Sequence, residues 1–270
     1  MGQAKRRTAM HAARLRELEG VFADIGVADL VPGFYDDPAF VKAERADQRL
    51  LEAYAVYVRL RQLTPEYEET ARRLVHDVSE RVCRWVEEQG DGRGRCLDAA
   101  NLLSRSLDRL GIWNYMIKGS FNIRAKARPD LGPRYFWTYD ELEPGATATG
   151  HVWIAAPPFV IVDPSLSGQG WEAEFRPHVP RLIVEDSPRR ARMEADDMVA
   201  HEMGRPTTRE LFEQAPGLKA FSETFPGSIV ETDEVVARYL PAGITASDCP
   251  LEDACGGEGG RFWKRLQDEL

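Results

Sequence analysis

The chain has 270 residues, is 43% hydrophobic, carries a formal net charge of −9 and contains four cysteines. That length suits one sizeable domain with additions or two small ones, and the apolar content suffices for a packed core without disulfide staples. The acidic balance excludes general binding to nucleic-acid backbone, which needs clustered Lys and Arg, and the absence of an apolar run of about 18 residues excludes a membrane-spanning helix.

Cys83, Cys96, Cys249 and Cys255 are sparse and irregularly spaced. The basic N-terminal residues are followed by a stretch that mixes His, Arg and Glu rather than by an apolar h-region. A signal peptide is therefore not expected, and free thiols in a reducing cytoplasm are. The local basic group of Lys5, Arg6, Arg7, Arg14 and Arg16 reads as the solvated face of a first helix.

In chain order, residues 8–26 are expected to form a helix with Leu15, Leu18 and Phe22 on one side, ended by the turn at Val31-Pro32-Gly33. A second helix is expected over 43–63. Thr64-Pro65 then supplies an N-cap and a proline at the first helical position. The helix it starts is expected to reach Glu88, because Ala71, Leu74, Val75, Val78, Val82, Trp85 and Val86 recur at three- and four-residue spacing. The glycine-rich stretch from Gly90 to Gly94 breaks it.

A further helix over 96–110 is expected from Ala99, Ala100, Leu102, Leu103, Leu107 and Leu110, with Gly111 as its stop. Residues 113–123 read as a strand. The span 125–149 is irregular and long enough for a functional loop. Strands at 151–156 and 159–162 around Pro157-Pro158 form an expected hairpin, and 181–184 adds one more strand. Beyond Ser187, helices are expected over 189–203, 208–214, 232–240 and 260–269. The domain reading is an N-terminal helical region over 1–64, an α+β core over 65–186 and a C-terminal helical region over 187–270.

Chemistry concentrates in the core. Cys96 opens a helix, where unpaired N–H groups and the helix dipole stabilise a thiolate. Its own N–H is placed to serve an oxyanion hole. His151 heads one apolar strand and Asp163 ends the next. Taken singly, a buried thiol, a core His beside Trp153 and a turn Asp before Pro164 all have ordinary structural uses. The hairpin changes this by bringing His151 and Asp163 together, with Asp163 expected on Nδ1–H and Nε2 facing the thiol. A thiol, a base and an orienting carboxylate are the parts of an activated cysteine nucleophile.

The segments Gly94-Arg95-Cys96-Leu97-Asp98-Ala99-Ala100, Leu110-Gly111, Lys118-Gly119, Gly150-His151-Val152-Trp153 and Val162-Asp163-Pro164 resemble the transglutaminase-like branch of the papain-like cysteine enzymes. The resemblance covers about the middle quarter of the chain. It implies an α+β fold in which a Cys-bearing helix packs on a small antiparallel sheet. Cys96 would be nucleophile, His151 base and Asp163 the orienting carboxylate of an enzyme performing acyl transfer on amides of a protein or peptide. Protease, deamidase and transglutaminase activities fall in this class, and none implies a cofactor. A noncatalytic binding module on the same fold and an arylamine acetyltransferase-like enzyme are the alternatives. The second oxyanion donor is unassigned, with Trp85 and Gln89 both fitting ordinary helix positions. The span 124–149 departs from the pattern as an insertion before the His.

Other groupings are poorer. His201-Glu202 lacks the second His of a zinc-protease helix. Cys249 and Cys255 lack zinc-site spacing and partner ligands. The glycines near residue 92 and at 256–260 follow no strand and precede no Lys-Ser/Thr pair, so they make no phosphate loop.

Overall fold

A computed structural model describes residues 3–90, 95–139, 150–200, 204, 206–247 and 249–270. The expected glycine break at 91–94, most of the second half of the 124–149 insertion and the His201-Glu202 pair lie outside the described residues.

The N-terminal third is helical. Helix α1 (Gln3–Asp24) buries Leu18 and Phe22. The single helix expected over 43–63 is instead α2 (Pro38–Glu44) and α3 (Arg49–Leu60). Asp37 caps α2 by accepting from the Ala39 N–H at 2.8 Å. Between the two helices the Asp47 carboxylate takes the Arg49 N–H at 3.1 Å, a local side-chain bond that competes with helix continuation. Helix α4 (Pro65–Glu88) starts as expected, with Thr64 Oγ1 accepting from the Tyr67 N–H at 3.2 Å. The whole predicted α4 stripe, from Ala71 to Val86, is buried. Helix α5 (Arg95–Arg109) buries Ala99, Ala100, Leu102, Leu103 and Leu107, and Gly111 follows with a left-handed φ of 77°.

The rest of the chain builds an antiparallel sheet. Its strands are β1 (Tyr115–Ala125), β2 (Arg134–Phe136), β3 (His151–Ala156), β4 (Phe159–Asp163), β5 (Ile183–Glu185), β6 (Arg189–Ala191), β7 (Gly227–Glu231) and β8 (Val235–Thr245). Their order is β5-β4-β3-β1-β8-β7-β6, with β2 also paired to β1. The fold is α+β, as the sequence implies, but the curled antiparallel sheet has eight strands among the described residues rather than being the small one expected. Short helices α6 (Ala195–Met198), α7 (Thr208–Gln214) and α8 (Pro216–Thr224) follow β6, and α9 (Ala254–Glu269) closes the chain.

Alternation along the strands separates two of the three apolar clusters formed by the described residues, the third lying around Met198, Leu211 and Leu240. Ile117, Phe121, Trp153, Ile161, Ala237 and Tyr239 pack with residues of α1 and α3. Met116, Ile154, Ala156 and Val162 pack with α4, α5 and the later part of α9.

The region after residue 187 differs most from its expected helical character. Of the expected helix 189–203, residues 189–200 are described, and their elements are β6 and the four-residue α6; the expected helix 232–240 falls in the turn before β8 and the first part of β8. Thr232 explains the second difference. Its Oγ1 accepts from the N–H groups of Glu234 and Val235 at 3.2 and 3.1 Å, making the tight turn of the β7–β8 hairpin. Val235, Ala237 and Tyr239 are buried on a period of two, which is a strand face. Because β8 pairs along β1, the 187–270 region completes the central sheet rather than forming a helical addition.

Candidate active site

Three elements position the predicted trio. Cys96 is the second residue of α5, so its N–H is one of the four at a helix start with no intrahelical acceptor. His151 is the first residue of β3, and Asp163 the last of β4. Pairing of Ile154 with Val162 sets the hairpin register. Two glycines fix where β3 begins. Gly119, the register partner of His151, sits at a bulge where a Cβ would lie 2.1 Å from the Leu240 carbonyl oxygen. Gly150 has a φ of 95°, and a Cβ there would lie 2.6 Å from the Gly119 oxygen.

The polar chain is closed to solvent. His151 is 1% and Asp163 0% exposed, and His151 Nε2 lies 2.7 Å from Asp163 Oδ2. Ser165 donates to Asp163 Oδ1 from its hydroxyl at 2.7 Å and its N–H at 3.1 Å. Tyr239 donates to Oδ2 at 3.0 Å. The imidazole packs against Phe121, at 4.8 Å between ring centroids, and Phe136, at 6.0 Å.

The nitrogen roles are the reverse of those expected. Nε2 meets the carboxylate, which leaves Nδ1 as the nitrogen available to the thiol. The ring, packed on Phe121 and Phe136, reaches Asp163 through its distal nitrogen. Nδ1 is buried and makes no full hydrogen bond among the described residues. The imidazole nevertheless lowers the Cys96 thiol.

The charges follow. Burial pushes the Cys96 thiol up, but the His151 imidazole and the Val152 N–H outweigh it, so the thiol ionises below its ordinary range. Burial pulls His151 down, yet Asp163 and Cys96 together raise it to about 10. Burial likewise opposes ionisation of Asp163, and the imidazole with the Ser165 donors holds it below the usual carboxylate range. All three shifts favour the charged form of their group: thiolate, imidazolium and carboxylate.

The other cysteines are placed differently. Cys83 is 0% exposed, its Sγ 3.2 Å from the Pro164 carbonyl oxygen, and burial raises its thiol to about 12. Cys255 is also raised to about 12, chiefly by burial and then by Asp98. Cys249 lies 3.3 Å from Ser247 Oγ. No group of three or more His, Cys, Asp or Glu side chains is arranged to hold a metal ion among the described residues. Nor is any described helix long and apolar enough to cross a membrane. A groove of about 640 Å³ between α2–α3 and the end of β8 includes none of the trio in its lining.

Sequence reasoning missed Ser165, Phe121, Phe136 and Tyr239. Ser165 carried a signal, because a Ser two residues after an Asp is a common side-chain turn. Tyr239 carried one too, in the alternation it shares with Val235 and Ala237. Trp85 Nε1 is buried with no hydrogen-bond partner among the described residues, but Trp85 faces α9 from α4, in a pocket with Phe262 and Leu266. Gln89 is exposed at the end of α4. No family model, curated protein or solved structure matches the chain.

Proposed function

We propose that the chain is a cysteine-dependent acyl-transfer enzyme acting on amide bonds of a protein or peptide, with a papain-like, transglutaminase-like core. The observation that carries this reading is the buried relay itself. Asp163 holds His151 at 2.7 Å, and His151 in turn lowers the thiol of Cys96 at a helix start.

The reaction follows from those charges. The Cys96 thiolate attacks the amide carbonyl carbon, a C–S bond forms, and the carbonyl π electrons move to oxygen. In this reading the Cys96 N–H, left without an intrahelical acceptor at the start of α5, donates to that oxyanion. As the oxyanion collapses, the C–N bond breaks and the departing nitrogen takes the Nδ1 proton of His151. His151, now neutral, removes a proton from water or an amine that attacks the thioester. The new acyl product leaves as the C–S bond breaks, returning thiolate and imidazolium. Water makes the enzyme a protease or deamidase, and a lysine amine makes it a transglutaminase.

One observation favours a second reading, a noncatalytic binding module on the same fold: Cys96 is only 9% exposed. Limiting iodoacetamide at pH 6, followed by peptide mapping, separates the two. An ordinary thiol with a pKa of about 8.5 is almost wholly protonated there. The enzyme reading expects Cys96 to be modified before Cys83, Cys249 and Cys255, and His151→Ala to abolish that order. Labelling of Cys249 or Cys255 ahead of Cys96 in the folded protein would sink it.

A further inference from the structure

The Asp163 carboxylate receives more donors than a carboxylate that merely orients a histidine requires. Oδ2 is shared by His151 Nε2 at 2.7 Å and the Tyr239 hydroxyl at 3.0 Å. Oδ1 takes the Ser165 hydroxyl at 2.7 Å and the Ser165 N–H at 3.1 Å. Asp163 and Tyr239 are 0% exposed and Ser165 1%. A buried carboxylate with this many donors is held in its charged form and in one rotamer.

The donors come from different parts of the chain. Ser165 lies two residues beyond the end of β4. Tyr239 lies on β8, where its register partner on β1 is Phe121, the ring that also packs on His151. The 187–270 region therefore delivers a polar atom to the centre of the site. Each other titratable group near Asp163 has an assigned state. His151 on β3 is raised to about 10, and the Cys96 thiol on α5 is lowered by the imidazole and the Val152 N–H against burial. Cys83 on α4 is neutral, its thiol raised by burial. Tyr239 is likewise held neutral by burial and by Asp163, so its hydroxyl proton stays available to donate.

We infer that Tyr239 and Ser165 are positioning residues of this site, acting through Asp163 to hold the Cys96–His151 pair in its charged state. The inference rests on the proposed role of Cys96. Without the Tyr239 hydroxyl, Asp163 loses a donor to its charged form, and the proton it shares with His151 Nε2 shifts toward the carboxylate. His151 then gives up its proton more readily, and the Cys96 thiolate loses its stabilising cation. The effect passes through two residues without Tyr239 touching thiol or substrate.

The test is the rate of Cys96 alkylation by iodoacetamide from pH 5 to 9, read by peptide mass, in the full-length chain and in Tyr239→Phe and Ser165→Ala. Both variants keep the volume and packing of the site nearly intact. The expected result is an acid limb displaced to higher pH in each, with alkylation at pH 6 slower by about tenfold, the scale of a hydrogen bond to a charged group. A merely structural role would lower the melting temperature and leave this profile in place. Variant profiles that superimpose on a wild-type profile with its low-pH preference overturn the inference and spare the enzyme reading. A wild-type chain with no low-pH preference at Cys96 overturns both. Should Tyr239→Phe fail to fold, Ser165→Ala decides alone, because it removes a donor from the other oxygen of the same carboxylate.

Discussion

His151 Nε2 and Asp163 Oδ2 lie 2.7 Å apart where β3 begins and β4 ends, with neither residue more than 1% exposed. Water does not weaken the attraction between imidazolium and carboxylate there, so His151 stays protonated up to about pH 10 against the pull of burial. Cys96 ionises below its ordinary range beside it.

Turnover of an amide substrate is therefore expected to follow a bell in pH. The acid limb reports ionisation of Cys96, below the normal thiol range. The alkaline limb, near 10, reports loss of the proton that the leaving nitrogen needs. Alkylation needs only the thiolate and should show no alkaline fall. A turnover profile that rises only through pH 8 to 9, as for an unperturbed thiol, would contradict the charged pair.

Replacing Asp163 by Asn tests the carboxylate from a second direction. All four groups around it donate, whereas an amide offers one acceptor oxygen and an NH₂ group that must face donors. The amide also no longer sets the imidazole in its working state. Asp163→Asn is expected to cut turnover by up to about ten-thousandfold, by analogy with the serine-protease triad. It should also destabilise the fold by about 1–3 kcal/mol through an unsatisfied buried group. Parallel assays of rate and thermal midpoint check this, and a variant with near-normal turnover would remove Asp163 from the proposed relay.

Much of this site was legible before any fold was built. Apolar spacing marked α4 and α5, Thr64-Pro65 and Gly111 marked helix ends, and the apolar runs flanking Pro157-Pro158 marked the hairpin that unites His151 with Asp163. These are local signals. The β7–β8 hairpin was not read, because 232–240 has enough apolar residues for either period and its strand state is decided by pairing with β1, more than a hundred residues earlier in the chain. Tyr239 was missed with it. Which histidine nitrogen meets Asp163 was equally out of reach, since it depends on the ring's orientation among Phe121, Phe136 and Trp153.

Gly119 supplies a prediction about how the site is held. Its missing side chain lets β8 approach so closely that a Cβ would lie 2.1 Å from the Leu240 backbone oxygen, beside Tyr239 and opposite His151. Gly119→Ala must push β1 and β8 apart at the bulge. The expected cost is about 1–3 kcal/mol, as for other overpacked sites, with Cys96 alkylation at pH 6 slowed as Tyr239 withdraws from Asp163. Denaturant unfolding and the labelling assay measure the two effects. Unchanged stability would show that the bulge absorbs a methyl group without strain.

Asp108 on α5 gives a stability prediction away from the proposed site. It accepts from the Tyr35 hydroxyl at 2.7 Å and from Asn114 Nδ2 at 2.9 Å, linking the N-terminal region, α5 and the approach to β1. Burial raises its carboxyl to about 7, while Tyr35, Arg105 and Asn114 only partly offset that effect. With the folded pKa above the unfolded value near 3.9, the protonated form is favoured by folding. This contribution is fully present below the unfolded pKa and is lost as pH rises through about 7. The wild-type thermal midpoint should thus fall between pH 5 and 8 by more than that of Asp108→Asn, whose neutral amide cannot ionise. Melting curves of both proteins across that range provide the measurement. Equal slopes would mean that Asp108 is charged throughout and that its donors, rather than burial, set its state.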